Sequence, residues 1–297
     1  MIDSNYPNYF IAGDSASKKA QKWYIRLVGI DLILMIASAI FSIYNYQSED
    51  SKLLIYIFSG VLLLGALFIS IILRVRKYED YWYSGRALAE SCKTLTWRFI
   101  MLSEDFENTI SEREAEQRFI GKICLIKDQF PDLYKVMNNK YINQPFISSE
   151  MKRIRSLSFE ERKDYYLSHR VQDQINWYSS KADSNKRKYE LWFFIVIGLQ
   201  FLALISILFL INNPMSNFNF IGFFSTIAAS GFSWLQVKRF QENKEAYTMA
   251  NSELNLIKSE IDKVTSEEGF SEYVLDSENA MSREHTMWLA QKRINKN

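Results

Sequence analysis

Hydrophobic and polar positions in this chain separate on the scale of whole segments, and four long apolar runs come as two matched pairs. Leu27–Tyr46 and Leu53–Leu73 are joined by only Gln47–Lys52, and Leu191–Ile211 and Phe218–Val237 by only Asn212–Asn217. Three of these runs carry no charge, and the first carries only Asp31. At ~1.5 Å rise per residue each reaches the ~30 Å of a bilayer core. Four such runs, with almost no helix-period alternation, would need a larger core than 297 residues can enclose in water. The pattern predicts an all-α membrane protein built from two transmembrane helical hairpins. No small-residue cleavage pattern ends the first run, so Leu27–Tyr46 is expected to stay in the mature protein.

Beyond each hairpin the period changes. After the second run Tyr78, Gly85, Cys92 and Phe99 recur every seven residues, interleaved with Tyr81, Leu88, Leu95 and Leu102. After the fourth, Ala250, Ile257 and Val264 alternate with Leu254 and Ile261. These seams predict long helices in helical cytoplasmic bundles, packing within one subunit or, as the alternative, between subunits. Ser111-Glu-Arg-Glu114 and Ser158-Phe-Glu-Glu161 read as capping boxes, the first opening a helix with the inner face Ala115, Phe119, Ile123, Ile126 and Phe130. No Pro or Gly lies between residue 159 and Gly198, so one helix can run from there into the third span. The expected division is an N-terminal cytoplasmic segment, 1–17; a first two-span unit, 18–102; a helical connector, 103–158; and a second two-span unit, 159–297.

Charge adds orientation. Lys18, Lys19, Lys22 and Arg26 precede the first span, Arg74, Arg76 and Lys77 follow the second, Lys186, Arg187 and Lys188 precede the third, and Lys238 and Arg239 follow the fourth. The two short loops hold one basic residue between them, Lys52, beside Glu49 and Asp50. By the positive-inside rule both termini are cytoplasmic, in a multi-pass protein of a bacterial inner membrane. A net charge of +2, with its basic residues placed beside the spans, argues against nucleic-acid binding. A shift of 163 in numbering lays the first hairpin on the second without a gap and brings Arg76 onto Arg239 and Glu90 onto Glu253. Such parallel repeats differ from the inverted repeats of many transporters.

The chemistry is quiet. Cys92 and Cys124 read as structural, and two histidines make no zinc-spaced cluster. Glu284-His285 lacks the second histidine of a metalloprotease helix, and His169 falls with Arg170 on an expected exposed helix. There is no phosphate-cradling glycine loop, nucleophile elbow or kinase signature. The expectation is a protein that is not an enzyme and has no cofactor, metal or catalytic residue.

Two patches resemble a known family. Tyr81-Trp-Tyr-Ser-Gly-Arg-Ala-Leu-Ala-Glu-Ser-Cys-Lys-Thr-Leu-Thr-Trp-Arg98 looks like the Arg…Ala-Glu…Lys…Trp-Arg stretch of SLATT-type proteins, the two-span effector domains of bacterial conflict systems. Ser282-Arg-Glu-His-Thr-Met-Trp288 resembles the Ser-Arg-Glu-His-x-x-Trp ending of the same group. With the paired hairpins, the arrangement resembles two SLATT units in tandem, although Tyr247–Lys258 keeps Glu253 and lacks the tryptophan-arginine pair. The resemblance implies a membrane effector that forms pores in antiphage defence, often encoded beside nucleotide-messenger synthases or sensors.

Asp31, Ser38, Ser42 and Asn45, at spacings of seven, four and three, are expected on one helical face. That face either lines a water-filled path or is consumed by hydrogen bonds between helices. Four spans are few to surround a channel, so a pore requires a homo-oligomer. Gly222, Thr226, Ser230 and Ser233 read as a packing face, and Gln200 as one interhelical hydrogen bond. Arg86, Glu90, Lys93, Trp97 and Arg98 form a charged helix face and a candidate gating group that Arg283, Glu284, His285 and Trp288 would complete as a polar lock. Lys152, Arg153 and Arg155 are a candidate anion or lipid-headgroup patch. The predicted function is an oligomeric pore opened by a cytoplasmic signal to depolarise the membrane. The alternative is a membrane-anchored scaffold that recruits a partner and conducts nothing.

Overall fold

The computed structural model of the chain describes the backbone of residues 3–294 and the side chains of residues 4–282. Eleven α-helices follow in order among the described residues: α1 Asn8–Ile40, α2 Glu49–Arg76, α3 Tyr78–Ile100, α4 Glu112–Asp128, α5 Asn139–Ile142, α6 Ser149–Arg155, α7 Phe159–Tyr166, α8 Gln172–Asn212, α9 Ile221–Lys238, α10 Phe240–Ser259 and α11 Glu267–Ile294. Extended pairing among them is limited to one isolated antiparallel bridge, Tyr44 with Phe218. Between α7 and α8 a π-helical turn, Leu167–Val171, keeps the helix continuous, as the absence of Pro and Gly predicts. Among the described residues three helical runs are long and apolar enough to cross a membrane: Asn8–Ile40, Glu49–Ile100 and Phe159–Asn212. The shorter α9, at 18 residues, is about 27 Å long at ~1.5 Å per residue.

The chain divides into two compact units. One comprises Lys22–Tyr78 and Asp183–Lys244 and holds both hairpins. Its apolar side chains point outward: Tyr56, Phe58, Val61, Phe68 and Val75 on α2 and Phe194, Phe201 and Ile211 on α8 are all at least 60% exposed. Small residues set the contacts inside it. A Cβ on Gly65 would meet Leu34 at 3.3 Å, and one on Gly231 would meet Val196 at 3.0 Å, so α2 closes on α1 and α9 closes on α8. Of the expected packing face Gly222, Thr226, Ser230 and Ser233, Ser230 is buried, Thr226 and Ser233 are partly buried and Gly222 is exposed, and the buried positions beside Ser230 are Ala228 and Gly231.

The first span ends earlier than its composition predicts. Helical bonding stops at Ile40, and i→i+3 bonds from Phe41, Ser42 and Ile43 turn the chain. Asn45 N–H then donates to Asn217 O at 2.7 Å and Asn219 N–H to Ile43 O at 2.6 Å, which joins the loops of the two hairpins. Apolar Phe41–Tyr46 is therefore an aromatic turn, with Tyr44 packed on Tyr46 and Phe218 at 4.8 and 5.0 Å.

Both hairpins leave by the same device. Lys77, after α2, and Arg239, after α9, each have φ of 50° in the left-handed region. The structural equivalent of Arg239 is thus Lys77, one residue from the Arg76 pairing that sequence alignment gives.

The other unit comprises Met1–Gln21, Glu79–Ala182 and Glu245–Asn297. It has an aromatic core in which Trp97, Phe99, Phe106, Phe119, Tyr166 and Phe270 are fully buried. Both predicted seams lie in it: Leu88, Cys92, Leu95 and Phe99 are buried on α3, as are Ala250, Leu254, Ile261 and Val264 after α9. The first turns of α1 belong to this core, because Tyr6, Tyr9, Phe10, Ala12 and Ala16 are buried. Gly13 and Gly85 let α1 and α3 touch backbone to backbone: a Cβ on Gly85 would sit 2.8 Å from the Gly13 carbonyl. Ser17 Oγ seals the crossing by donating to Trp82 O at 2.8 Å. The Ser158 capping box forms in full, with Ser158 N–H donating to Glu161 Oε2 at 2.9 Å, whereas at Ser111 only half of it forms: Glu114 N–H donates to Ser111 Oγ at 3.2 Å and the Glu114 carboxylate pairs with Arg118 instead.

Candidate functional site

In the hairpin unit the polar residues of the first span are divided. Ser38 is buried and shares a 2.5 Å hydrogen bond with Ser59 of α2. Asp31 accepts from Ser70 Oγ at 3.3 Å. Both bonds run between α1 and α2, which is the helix-to-helix use of such groups. Ser42 and Asn45 do not share their face, because α1 has already ended. Ser42 is exposed and donates to Ala39 O at 2.7 Å, and Asn45 sits in the loop joined to Asn217. The four-residue helical stripe is thus shortened to two residues by an early turn.

Gln200 departs from its sequence reading. It lies mid-way along the apolar stretch of α8, is exposed, and makes no hydrogen bond among the described residues. An amide there has no water to satisfy it inside a bilayer.

In the globular unit the centre is polar and buried. Arg170 and Glu278, 3% and 0% exposed, form a bidentate pair, Nε to Oε1 at 2.8 Å and Nη2 to Oε2 at 2.6 Å. Tyr166 Oη also donates to Glu278 Oε1 at 3.0 Å. Burial opposes the Arg170 charge, and Glu278 beside it outweighs that, holding the guanidinium above its ordinary range. Burial raises the Tyr166 phenol well above its usual value, with the Glu278 charge acting the same way. Such a pair orders its surroundings, and losing either member costs ~3–5 kcal/mol. Arg170 was expected on an exposed helix. The π turn carries it inward while His169 stays outside, stacked on Tyr165 with ring centroids 4.2 Å apart.

The charged face of α3 is only partly one face. Arg86 pairs with Glu90 at 3.8 Å, the local pair their spacing predicts. Arg98 turns away to Glu104 and Asp105, both at 3.3 Å. Trp97 is a core residue, 1% exposed, its indole N–H donating to Tyr6 Oη at 2.9 Å. It lies on the seam side because α3 packs against the first turns of α1, a partner far away in sequence. The side chains of Arg283, Glu284, His285 and Trp288 lie outside the described residues.

The basic patch at α6 is consumed inside the unit. Lys152 pairs with Glu116 at 2.5 Å and Arg153 with Glu150 at 2.7 Å. Arg155 donates to the carbonyls of Phe99 and Phe106 and lies over the Phe99 ring, 4.7 Å from its centroid. Burial brings its guanidinium down to about 10. Arg162, also buried, donates to Met101 O at 3.1 Å and pairs with Glu267 at 2.5 Å. Two arginines thus close the C-terminal end of α3, where unpaired carbonyls favour cations.

Comparison with protein families matches two stretches of the chain. Residues 7–163 match the SMODS and SLOG-associating 2TM effector domain 3, and residues 166–288 match the SMODS and SLOG-associating 2TM effector domain 1. No curated protein and no solved structure matches the chain. The junction between the two matches falls at the end of α7, ahead of the π turn. The second match holds although α10 lacks the tryptophan-arginine pair of α3. With its exposed apolar helices and a family match over more than half its length, this chain is a membrane protein that belongs to the SLATT effector family, carrying two SLATT domains in tandem.

Proposed function

We propose that this chain is a pore-forming effector of a bacterial antiphage system, opening as a homo-oligomer on a cytoplasmic signal to depolarise the membrane. The observation that carries the reading is the tandem of two-span effector domains whose apolar helices face outward over a bilayer's thickness. The basic residues flanking each hairpin favour four spans in the inner membrane with both termini in the cytoplasm. Gln200 favours assembly, since a lone amide on a lipid-facing surface is satisfied best by the same group on a neighbouring copy. In our reading the protein acts by conformation and is not an enzyme. Its signal would come from a nucleotide-messenger synthase or sensor encoded nearby, and opening would need a few kcal/mol of differential affinity between closed and open states.

The hydrogen bonds of Ser38 to Ser59 and of Ser70 to Asp31 favour a second reading, a membrane scaffold that does not conduct, because they occupy the polar stripe within one subunit. Membrane potential in bacteria carrying the chain with its native gene neighbours, followed during phage challenge, separates the two. Depolarisation that Asp31→Asn or Gln200→Leu alters at equal abundance supports the pore. An unchanged potential with intact protection leaves the scaffold.

A further inference from the structure

Beside the Arg170–Glu278 pair the globular unit holds a half-open cavity of about 270 Å³. Tyr6 and Trp97 form its inner wall, and the π turn supplies the other side. The bidentate pair uses two of the three guanidinium nitrogens of Arg170. The third, Nη1, is fully buried and has no hydrogen-bond partner. Lys93 lines the same cavity, and its ammonium makes no hydrogen bond or ion pair among the described residues. Burial, and after it the charge of Arg170, pull the Lys93 ammonium below its ordinary value, so the two cations feel one another. The acidic lining residue is Asp173, which accepts from Gln174 at 3.4 Å. His169 also lines the cavity.

A buried guanidinium N–H with no acceptor has lost the hydrogen bonds it makes in water, and a second cation facing the same space adds repulsion. A phosphoryl group relieves both, because its oxygens accept from Nη1 and from Lys93 Nζ together. We propose that this cavity is a binding site for a small soluble phosphorylated ligand, held between Arg170 Nη1 and Lys93 with His169 beside it. The volume lies just below the ~300–1,000 Å³ of drug-sized ligand pockets, which suits a phosphate on a compact body. The site stands on the globular unit's own geometry and holds whether or not the chain conducts.

The test is calorimetric titration of the full chain, in phosphatidylcholine and in phosphatidylglycerol nanodiscs, with inorganic phosphate, pyrophosphate and acetate at constant ionic strength. The expected result is saturable binding of phosphate or pyrophosphate, acetate at least ~10-fold weaker, and equal affinity in the two lipids. Lys93→Met should weaken binding by at least ~10-fold with no loss of melting temperature, because it removes a desolvated charge. His169→Ala should weaken it ~2–3-fold. Absence of saturation by about 10 mM of either phosphate would overturn the site. So would acetate binding equally well, or affinity unchanged in Lys93→Met. Loss of binding in phosphatidylglycerol alone would overturn the soluble ligand and assign the cavity to a lipid headgroup.

Discussion

The two hairpins share a plan and differ in how their mid-span polar groups are bonded. The first keeps them inside, with Ser38 bonded to Ser59 and Ser70 to Asp31, and α1 and α2 held together by those bonds. The second is joined by close steric contact at Gly231, while its one mid-span amide, Gln200, faces outward. The two hairpins therefore share their geometry, down to a left-handed basic residue at each exit, and differ in their chemistry. The first hairpin bonds its polar groups within itself, and the second leaves exposed the amide that the proposed assembly would satisfy.

The largest effect that would break this contrast is at the tightest contact. Gly231→Leu should cost ~1–3 kcal/mol by overpacking against Val196 and Trp192. Reduced thermal stability in nanodiscs checks it, and Gly60→Leu on α2, where a Cβ meets nothing within 4 Å, should leave stability unchanged. Next, Gln200→Leu should weaken self-association by ~1–2 kcal/mol per contact while leaving monomer melting unaltered. Analytical ultracentrifugation in detergent reads this directly, and an unchanged association constant would remove the contrast between the hairpins. Lys77→Gly and Arg239→Gly should each stabilise by up to ~1 kcal/mol, since glycine adopts positive φ without the Cβ penalty. Unequal gains in denaturant titrations would mean that the two exits are not equivalent. The smallest effect is a double-mutant cycle on Ser38→Ala and Ser59→Ala, with a coupling of ~0.6 kcal/mol. A cycle that closes to zero would show the first hairpin to be held by packing alone.

What was legible in the sequence was what depends on neighbours along the chain. The second and third spans are charge-free runs edged by basic residues, and both capping boxes are spelled within four residues, so these elements fall where the pattern puts them. The end of the first span was not legible, because Phe41, Ile43, Tyr44 and Tyr46 are as apolar as the helix before them. Only contact with Phe218 shows that they form a turn. The N-terminal core was hidden for a similar reason: Tyr6, Tyr9 and Phe10 make a short aromatic cluster beside Pro7, and Trp97, which gives Tyr6 its meaning, lies 91 residues away. The polar centre was the least legible. Arg170 and Glu278 are 108 residues apart, each looks like an ordinary charge on a solvated helix, and the π turn that brings Arg170 inward has no Gly or Pro to announce it.

The joined loops carry one more consequence. Asn45 to Asn217, Asn219 to Ile43 and Gln47 to Asn217 tie the two hairpins at their tips, and each tip is also where its own pair of spans turns back. A pair of rods tied at one end behaves like tongs: relative movement is smallest at the tie and grows with distance from it. A tilt of ~10° between hairpins would displace the far ends of ~30 Å spans by ~5 Å and leave the tied tips nearly still. Lys77 and Arg239, where each hairpin ends, lie at the ends away from that tie, and the approach of Gly29 on α1 to Trp234 on α9 is the contact such a tilt would have to loosen.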